Sequence, residues 1–478
     1  MIDNLKNRPG ILLILLLVVG AILLTTQVWY RPIDRDEGFW LAGATLIDNG
    51  KVIYVDFAMP HLPTAPYIYA GLVHLIGNSL VALRLVNVLI SLIGGYLIYY
   101  VWAVRGDKNS GLFSLFIYTF SFLVINWHIP VKVYALLDIF LILGFLFLSG
   151  ASDKGSWWRG LLAGLFLGLG VFCRSVYLPL LLVGGGYLLW NRRYLALGSG
   201  AVGVALASVP IMPFAMNYWD YLYFNIAGIH LLSQSGYISF WERFIALKEA
   251  LTQPDTIILL ALAIIAFVFI FRRREKRPAG LAAMFFVSIF CLNLIPISSS
   301  LQYQVSIVPF GAILAGGALT WLWSGRWRWM AMLLMAIYTL GGLGRPIARI
   351  VLDRYHQPEV GVAEVMQVRE YLAERVKEGD VIVTYWGGYI PDGAEPQADM
   401  NLAVFTGRIE KLMPAEDTVR FHLADQERVE EIVKEGVGDW VVLGVDAPTD
   451  LEPQKLGAYR LEEEIAAVRI YSYCKEVE

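Results

Sequence analysis

The chain has 478 residues, 57% of them hydrophobic and 17% charged, with a mean hydropathy of +0.57. Soluble proteins carry about 25% charged residues, so a purely soluble multidomain protein is excluded; a polytopic membrane protein with some soluble mass attached is expected. The net charge of −3 comes without a basic tract that would suggest nucleic acid, and Cys173, Cys291 and Cys474 offer no disulfide framework.

Residues 11–30 form the first apolar run. Lys6 and Arg8 precede it, as in a signal peptide. The run is about 20 residues long and ends in TTQVWYRP without a small-residue cleavage pattern, so a retained helix is expected. The next segment, RPIDRDEGFWLAGATLIDNG, sets Asp34, Arg35, Asp36 and Glu37 directly before Gly38, Phe39 and Trp40. It opens a long loop, 31–79, in which EGFWLAGATLIDNG and PTAPYIYAGLVHLIG read as amphipathic helices around KVIYVDFAMPHLP. Trp40, Tyr67 and Tyr69 are residue types of the membrane–water interface, so the loop is expected to lie flat on the outer leaflet.

Further apolar runs at 80–104, 110–127, 134–150, 159–173, 176–190, 194–214, 256–271, 280–297, 305–323 and 329–344 bring the expected spans to about eleven. With the N-terminus inside, the inner segments are NLKNR, VRGDK, SDKGSWWR, WNRRY, FRRREKRP and SGRWRW, all of them basic. The outer segments are the first loop, NWHIPVKVY, a loop around 215–255, ISSSLQYQ and the C-terminal tail. This predicts a membrane domain over 1–348 and an extracytoplasmic domain over 349–478. In the latter, PEVGVAEVMQVREYLAERVKEGD reads as helix and DVIVTYW as strand. ERVEEIVKEGVGDWVVLGV repeats that order, and YRLEEEIAAVRIYSY reads as two strands joined by a turn. The pattern is a small α/β domain without a metal cluster, nucleophile elbow or phosphate loop.

Ionisable residues inside spans are costly and read first as functional. Arg84, Asp138 and Arg174 all fall near the outer face, as do Lys132 and the Asp36–Glu37 pair. Other readings stay open. Arg84 and Arg174 can snorkel to the interface. Asp138 can pair structurally with Lys132 or an arginine. Asp36 can be a helix N-cap without chemistry. His61 and His128 have no His–His spacing that would mark a metal site.

In order, the chain shows DE in the first outer loop, KVIYVDF, PHLP, HLIGNSLVALRLVNVL, an aspartate in YALLDIF and GLLAGLFLGLGVFCRS. This string resembles the GT-C superfamily of membrane glycosyltransferases, and within it the protein O-mannosyltransferase and lipid A aminoarabinose transferase group. The likeness is best over 34 to about 190 and continues loosely in SSSLQYQVSIVPFGAILAGGAL. It implies a mainly α polytopic fold, a polyprenyl-phosphate sugar donor and transfer on the extracytoplasmic side. It also implies Asp36 as catalytic carboxylate with Glu37 as its partner, and Arg84, Asp138 and Arg174 at recurring positions. Asp56, His61, Lys132, Tyr303 and Gln304 complete the expected substrate-binding set. Two departures stand out: HLPT replaces the usual two prolines after the histidine, and Arg174 stands where lysine is common, which keeps the charge but changes its geometry.

The chemistry is consistent with these residues. An acceptor hydroxyl is a poor nucleophile and needs a base, which Asp36 can be. Phosphate is already a good leaving group and needs cations, for which Arg84, Lys132 and Arg174 are candidates. Asp36, Glu37 and Asp138 are hard oxygen ligands, so a divalent metal is possible as a cofactor. The acceptor is expected to be a protein, glycolipid or cell-wall glycan, and the location a prokaryotic plasma membrane, since the extra luminal domain of the eukaryotic O-mannosyltransferases is not seen. A transporter or lipid flippase would show inverted repeats and midplane charges, which are not evident. A non-catalytic envelope assembly protein would leave Arg84, Asp138 and Arg174 unexplained.

Overall fold

The computed structural model describes residues 9–154, 156–234, 248–249, 252–272, 277–294, 300–352, 361–403, 413–448 and 451–474. The NLKNR segment, parts of FRRREKRP and ISSSLQYQ, and part of the 215–255 loop lie outside them.

Among the described residues six helices are long and apolar enough to cross a membrane: Pro9–Tyr30, Leu80–Ala103, Val133–Ser152, Tyr194–Asn217, Leu301–Ser324 and Arg328–Val351. Each corresponds to an expected span. The remaining expected spans fall on shorter helices, Trp157–Cys173, Pro179–Trp190, Pro254–Arg272 and Arg277–Leu292, and on a broken one. The 110–127 run divides into Lys108–Thr119 and Phe122–Trp127. At the restart the Phe122 amide donates to Asp255 Oδ2 at 2.8 Å, so a carboxylate satisfies a group the break leaves open.

The glycines of GLLAGLFLGLG have a packing reason. An added Cβ at Gly164 would overlap the Gly200 carbonyl, and one at Gly160 the Ala196 carbonyl. Small residues thus let Trp157–Cys173 and Tyr194–Ala207 approach backbone to backbone, as membrane helices do when apolar burial cannot drive association.

Val133–Lys154 has different chemistry at its two ends. At its C-terminal end Arg105 Nη2 donates to Ser149 Oγ at 2.6 Å, and Arg193 Nε donates to the Ser152 carbonyl at 2.7 Å. The VRGDK and WNRRY turns therefore gather there. Lys132, just before its N-terminus, meets the acids of the first loop.

The C-terminal region forms a five-stranded sheet in the order β2-β1-β3-β5-β4. Its strands are β1 (Val381–Thr384), β2 (Glu395–Pro396), β3 (Trp440–Leu443), β4 (Tyr459–Ile465) and β5 (Val468–Tyr473). β2, β1 and β3 are parallel, while β5 and β4 continue antiparallel. The helices Val362–Ala373 and Gln426–Lys434 precede β1 and β3 in the expected helix-then-strand order. β2 is too short to carry a sequence pattern.

This sheet sits on the first loop and changes the setting of that loop. The Arg35–Asp48 helix is buried at every residue from Glu37 to Leu46, so it is enclosed on all sides and does not lie flat with one face open. Trp40 and Tyr69 are likewise buried and serve as packing residues, while Tyr67 stays exposed. The loop is held by Asn401 Nδ2 donating to the Ala58 carbonyl (2.8 Å) and the Asn78 amide donating to Asp392 Oδ1 (2.5 Å).

Candidate active site

The three acids of the first loop have three different positions. Asp34 is the N-cap of the Arg35–Asp48 helix: its Oδ1 accepts from the Asp36 amide at 3.0 Å, and Glu37 Oε2 accepts from the Asp34 amide at 2.8 Å. This is a reciprocal capping box. The cap function considered for Asp36 thus belongs to Asp34, and Asp36 lies in the first turn with its side chain 29% exposed.

Glu37 is fully buried and saturated. Arg84 grips it through Nε–Oε1 (2.8 Å) and Nη2–Oε2 (2.5 Å), and the Val131 amide adds a bond to Oε1 at 2.9 Å. Burial alone would raise the Glu37 carboxyl, but the Arg84 charge and hydrogen bonds outweigh it and hold the group below its ordinary range. The Arg84 guanidinium also donates to the carbonyls of Val28 (2.9 Å) and Arg31 (3.1 Å), closing the C-terminal end of the first helix. Arg84 was expected to bind substrate; the structure instead spends its donors within the protein, on Glu37 and that helix end.

Lys132 is the bridge. Its Nζ lies 2.6 Å from Asp34 Oδ1 and 2.7 Å from Asp36 Oδ2, and donates to Gln302 Oε1 at 2.7 Å. Burial disfavours the ammonium, but the two carboxylates prevail and raise its pKa. For Asp34, burial opposes ionisation, yet Lys132 and Arg31 hold the carboxyl well below the usual range. Arg31 anchors this corner through the Asn126 carbonyl (2.6 Å) and Asp34 Oδ2 (3.2 Å).

Arg174 lies at the end of Trp157–Cys173 with its guanidinium carbon 3.9 Å from the Tyr303 ring centre; its Nη1 donates to Tyr134 Oη at 2.9 Å. Among the described residues no carboxylate pairs with it. Tyr134 is within electrostatic reach of both Arg174 and Asp36. His61 packs on Trp40 and Phe39, and its pKa is pushed well down by burial, with His230, Arg174 and Lys132 contributing.

Other expected site residues lie apart. Asp138 was expected to bind substrate, with a structural pairing to Lys132 or an arginine as the open alternative; it bonds His128 (Oδ2 to Nε2, 2.9 Å), and His128 Nδ1 lies 3.1 Å from Ser91 Oγ. Asp56 closes a local turn by accepting from the Val52 amide at 2.6 Å. Gln304 is buried, and neither of its amide atoms has a hydrogen-bond partner among the described residues. Asp36, Glu37 and Asp138 do not converge as a shared ligand set for a divalent ion, and no other grouping of metal-ligating residues occurs among the described residues. Arg31 and Gln302 were not anticipated from sequence. The Asp34-x-x-Glu37 spacing was a readable signal for the cap.

The architecture is a helical membrane bundle whose first long loop carries this acidic cluster under a C-terminal α/β layer. It superposes on ArnT from Cupriavidus metallidurans solved bound to undecaprenyl phosphate, with a TM-score of 0.68 and 15% identity over 97% of this chain and 98% of that one. The apo form of the same protein gives a TM-score of 0.68 and 15% identity over 96% and 97%. Residues 60–219 match the family model described as dolichyl-phosphate-mannose-protein mannosyltransferase. Both comparisons agree with the group the sequence resembles. No curated protein matches the chain by sequence.

Proposed function

We propose that the chain transfers a sugar from a polyprenyl-phosphate donor to a hydroxyl acceptor at the extracytoplasmic face of a prokaryotic plasma membrane. The observation that carries this reading is the division of labour among the acids. Asp34 caps and Glu37 is consumed by Arg84, which leaves Asp36 as the carboxylate of the cluster with open surface, oriented by Lys132. The solved relative holding undecaprenyl phosphate supports the donor class.

In the proposed step the acceptor oxygen attacks the anomeric carbon while its proton passes to Asp36. The bond from that carbon to the phosphate oxygen breaks, and the electron pair leaves on the phosphate. Arg174, backed by Tyr303 and Tyr134, is the cation placed to stabilise that charge. Lys132, 2.7 Å from Asp36 Oδ2, keeps that carboxylate aimed. Direct displacement inverts the anomeric centre.

The same reading sets the topology: N-terminus cytoplasmic, first loop and C-terminal domain outside. Basic turns meet one end of Val133–Lys154 and the acidic site the other, as the Lys/Arg rule requires.

The test is release of free polyprenyl phosphate from a panel of radiolabelled lipid-linked sugars, with purified protein and a crude membrane extract as acceptor. One donor is expected to be consumed and to yield a product of inverted anomeric configuration by NMR. No release from any donor by folded protein contradicts the proposal.

A further inference from the structure

The geometry points to the C-terminal domain as part of the catalytic apparatus, with Trp386 as a positioning residue for Asp36; the inference rests on the assignment of Asp36 as the base. Trp386 follows β1 and is fully buried. Its indole Nε1 donates to the Asp34 carbonyl at 3.1 Å, the same carbonyl that accepts the first intrahelical bond, from the Glu37 amide at 3.0 Å. The far domain thereby grips the helix at its cap, two residues from Asp36.

The grip is shaped on both sides. The indole lies flat on Gly38, where an added Cβ would overlap ring carbon Cδ1. Gly387 presses against the same face, so that a Cβ there would overlap Ala42. Gly38 and Ala42, four residues apart, form a groove for the Trp386–Gly387 segment. Arg369 fixes that segment from behind through the Gly388 carbonyl at 3.3 Å and the Ile390 carbonyl. The Val445 amide donates to Tyr389 Oη at 3.3 Å, which joins the loop after β1 to the loop after β3. The latter loop in turn reaches the helix through Asp446 and Arg35, 3.0 Å apart. In open α/β sheets the carboxyl ends of parallel strands are where function concentrates; here both ends bear on the start of the helix that carries Asp36.

The consequence for chemistry follows from Lys132. Its Nζ holds Asp34 Oδ1 and Asp36 Oδ2 together, so a shift of the cap loosens both contacts. Trp386 touches no reacting atom in this arrangement and acts only through Asp34.

Trp386→Phe keeps an apolar ring on Gly38 and removes the N–H. With full-length protein in the polyprenyl-phosphate release assay, kcat is expected to fall about tenfold, since small misplacements of a catalytic group cost heavily. KM for the lipid-linked sugar is expected to stay at the wild-type value, while the melting midpoint falls modestly because a buried ring shrinks and one hydrogen bond is lost. Gly38→Ala displaces the indole from the opposite side and reads the same contact if the first variant folds poorly. The double variant is expected to be no worse than the more impaired single variant, because both remove one interaction. Wild-type kcat in both variants overturns the positioning role alone. So does a kcat loss matched by a raised KM, or additive losses in the double variant. Failure of the wild type to release polyprenyl phosphate removes Asp36 as the base and the inference with it.

Discussion

Asp36 and Glu37 are adjacent acids with opposite fates, and helix geometry decides which is which. At the third helical position Glu37 folds back onto the cap and inward to Arg84. One residue earlier, Asp36 turns toward Lys132 and open surface. Removing the Glu37 charge leaves Arg84 buried without a counter-charge, so Glu37→Gln is expected to cost about 3–5 kcal/mol, seen as a lower melting midpoint in detergent. Asp36→Asn should melt like wild type. Equal midpoints for Glu37→Gln and wild type would contradict the buried-pair role. Sequence showed the DE pair and the recurring cations but not their partners. Arg84, Lys132 and Asp138 each carry a charge that could face a ligand or another side chain, and the partners of Arg84 and Lys132 that settle this lie far along the chain.

The helices were legible where hydrophobic length alone defines them. Where packing sets the ends, as at the break after Thr119, sequence missed the boundary; the end at Cys173 it placed correctly. The glycine run of Trp157–Cys173 was visible, whereas its partner helix was not. Gly164→Leu is expected to separate that helix from Tyr194–Ala207 and to lower the yield of monodisperse folded protein. Gly186→Leu, at a glycine with nothing within 4 Å, serves as control. Equal yields would show that the close approach does not matter.

At the scale of the molecule, the helix–strand order announced the α/β domain but not where it docks, because docking is fixed by single contacts between residues hundreds of positions apart. One such contact is tunable. His422 places Nδ1 3.0 Å from Asp399 Oδ1 and Nε2 2.7 Å from the Val55 carbonyl, two acceptors that only the doubly protonated ring can serve. The Asp399 hydrogen bond raises its pKa above the ordinary 6.5; burial opposes, and the Asp399 and Asp56 charges assist. Arg428, 3.6 Å from Asp399, is the nearby cation. A raised folded-state pKa means that the stabilisation is fully present below pH 6.5 and is lost as pH rises through the folded value. Hydrogen exchange at the 52–57 and 415–424 segments should therefore quicken at alkaline pH beyond its intrinsic increase. In His422→Gln that extra pH dependence should vanish, and its persistence would exclude the latch.

The central claim is that Asp36 takes the acceptor proton while a lipid phosphate departs. It is tested most directly by measuring polyprenyl phosphate release by Asp36→Asn beside wild type, with both shown to be folded and inserted. Loss of release by about 10²–10⁴-fold, with lipid-linked sugar still bound, is the expected result. Wild-type release by Asp36→Asn would contradict it.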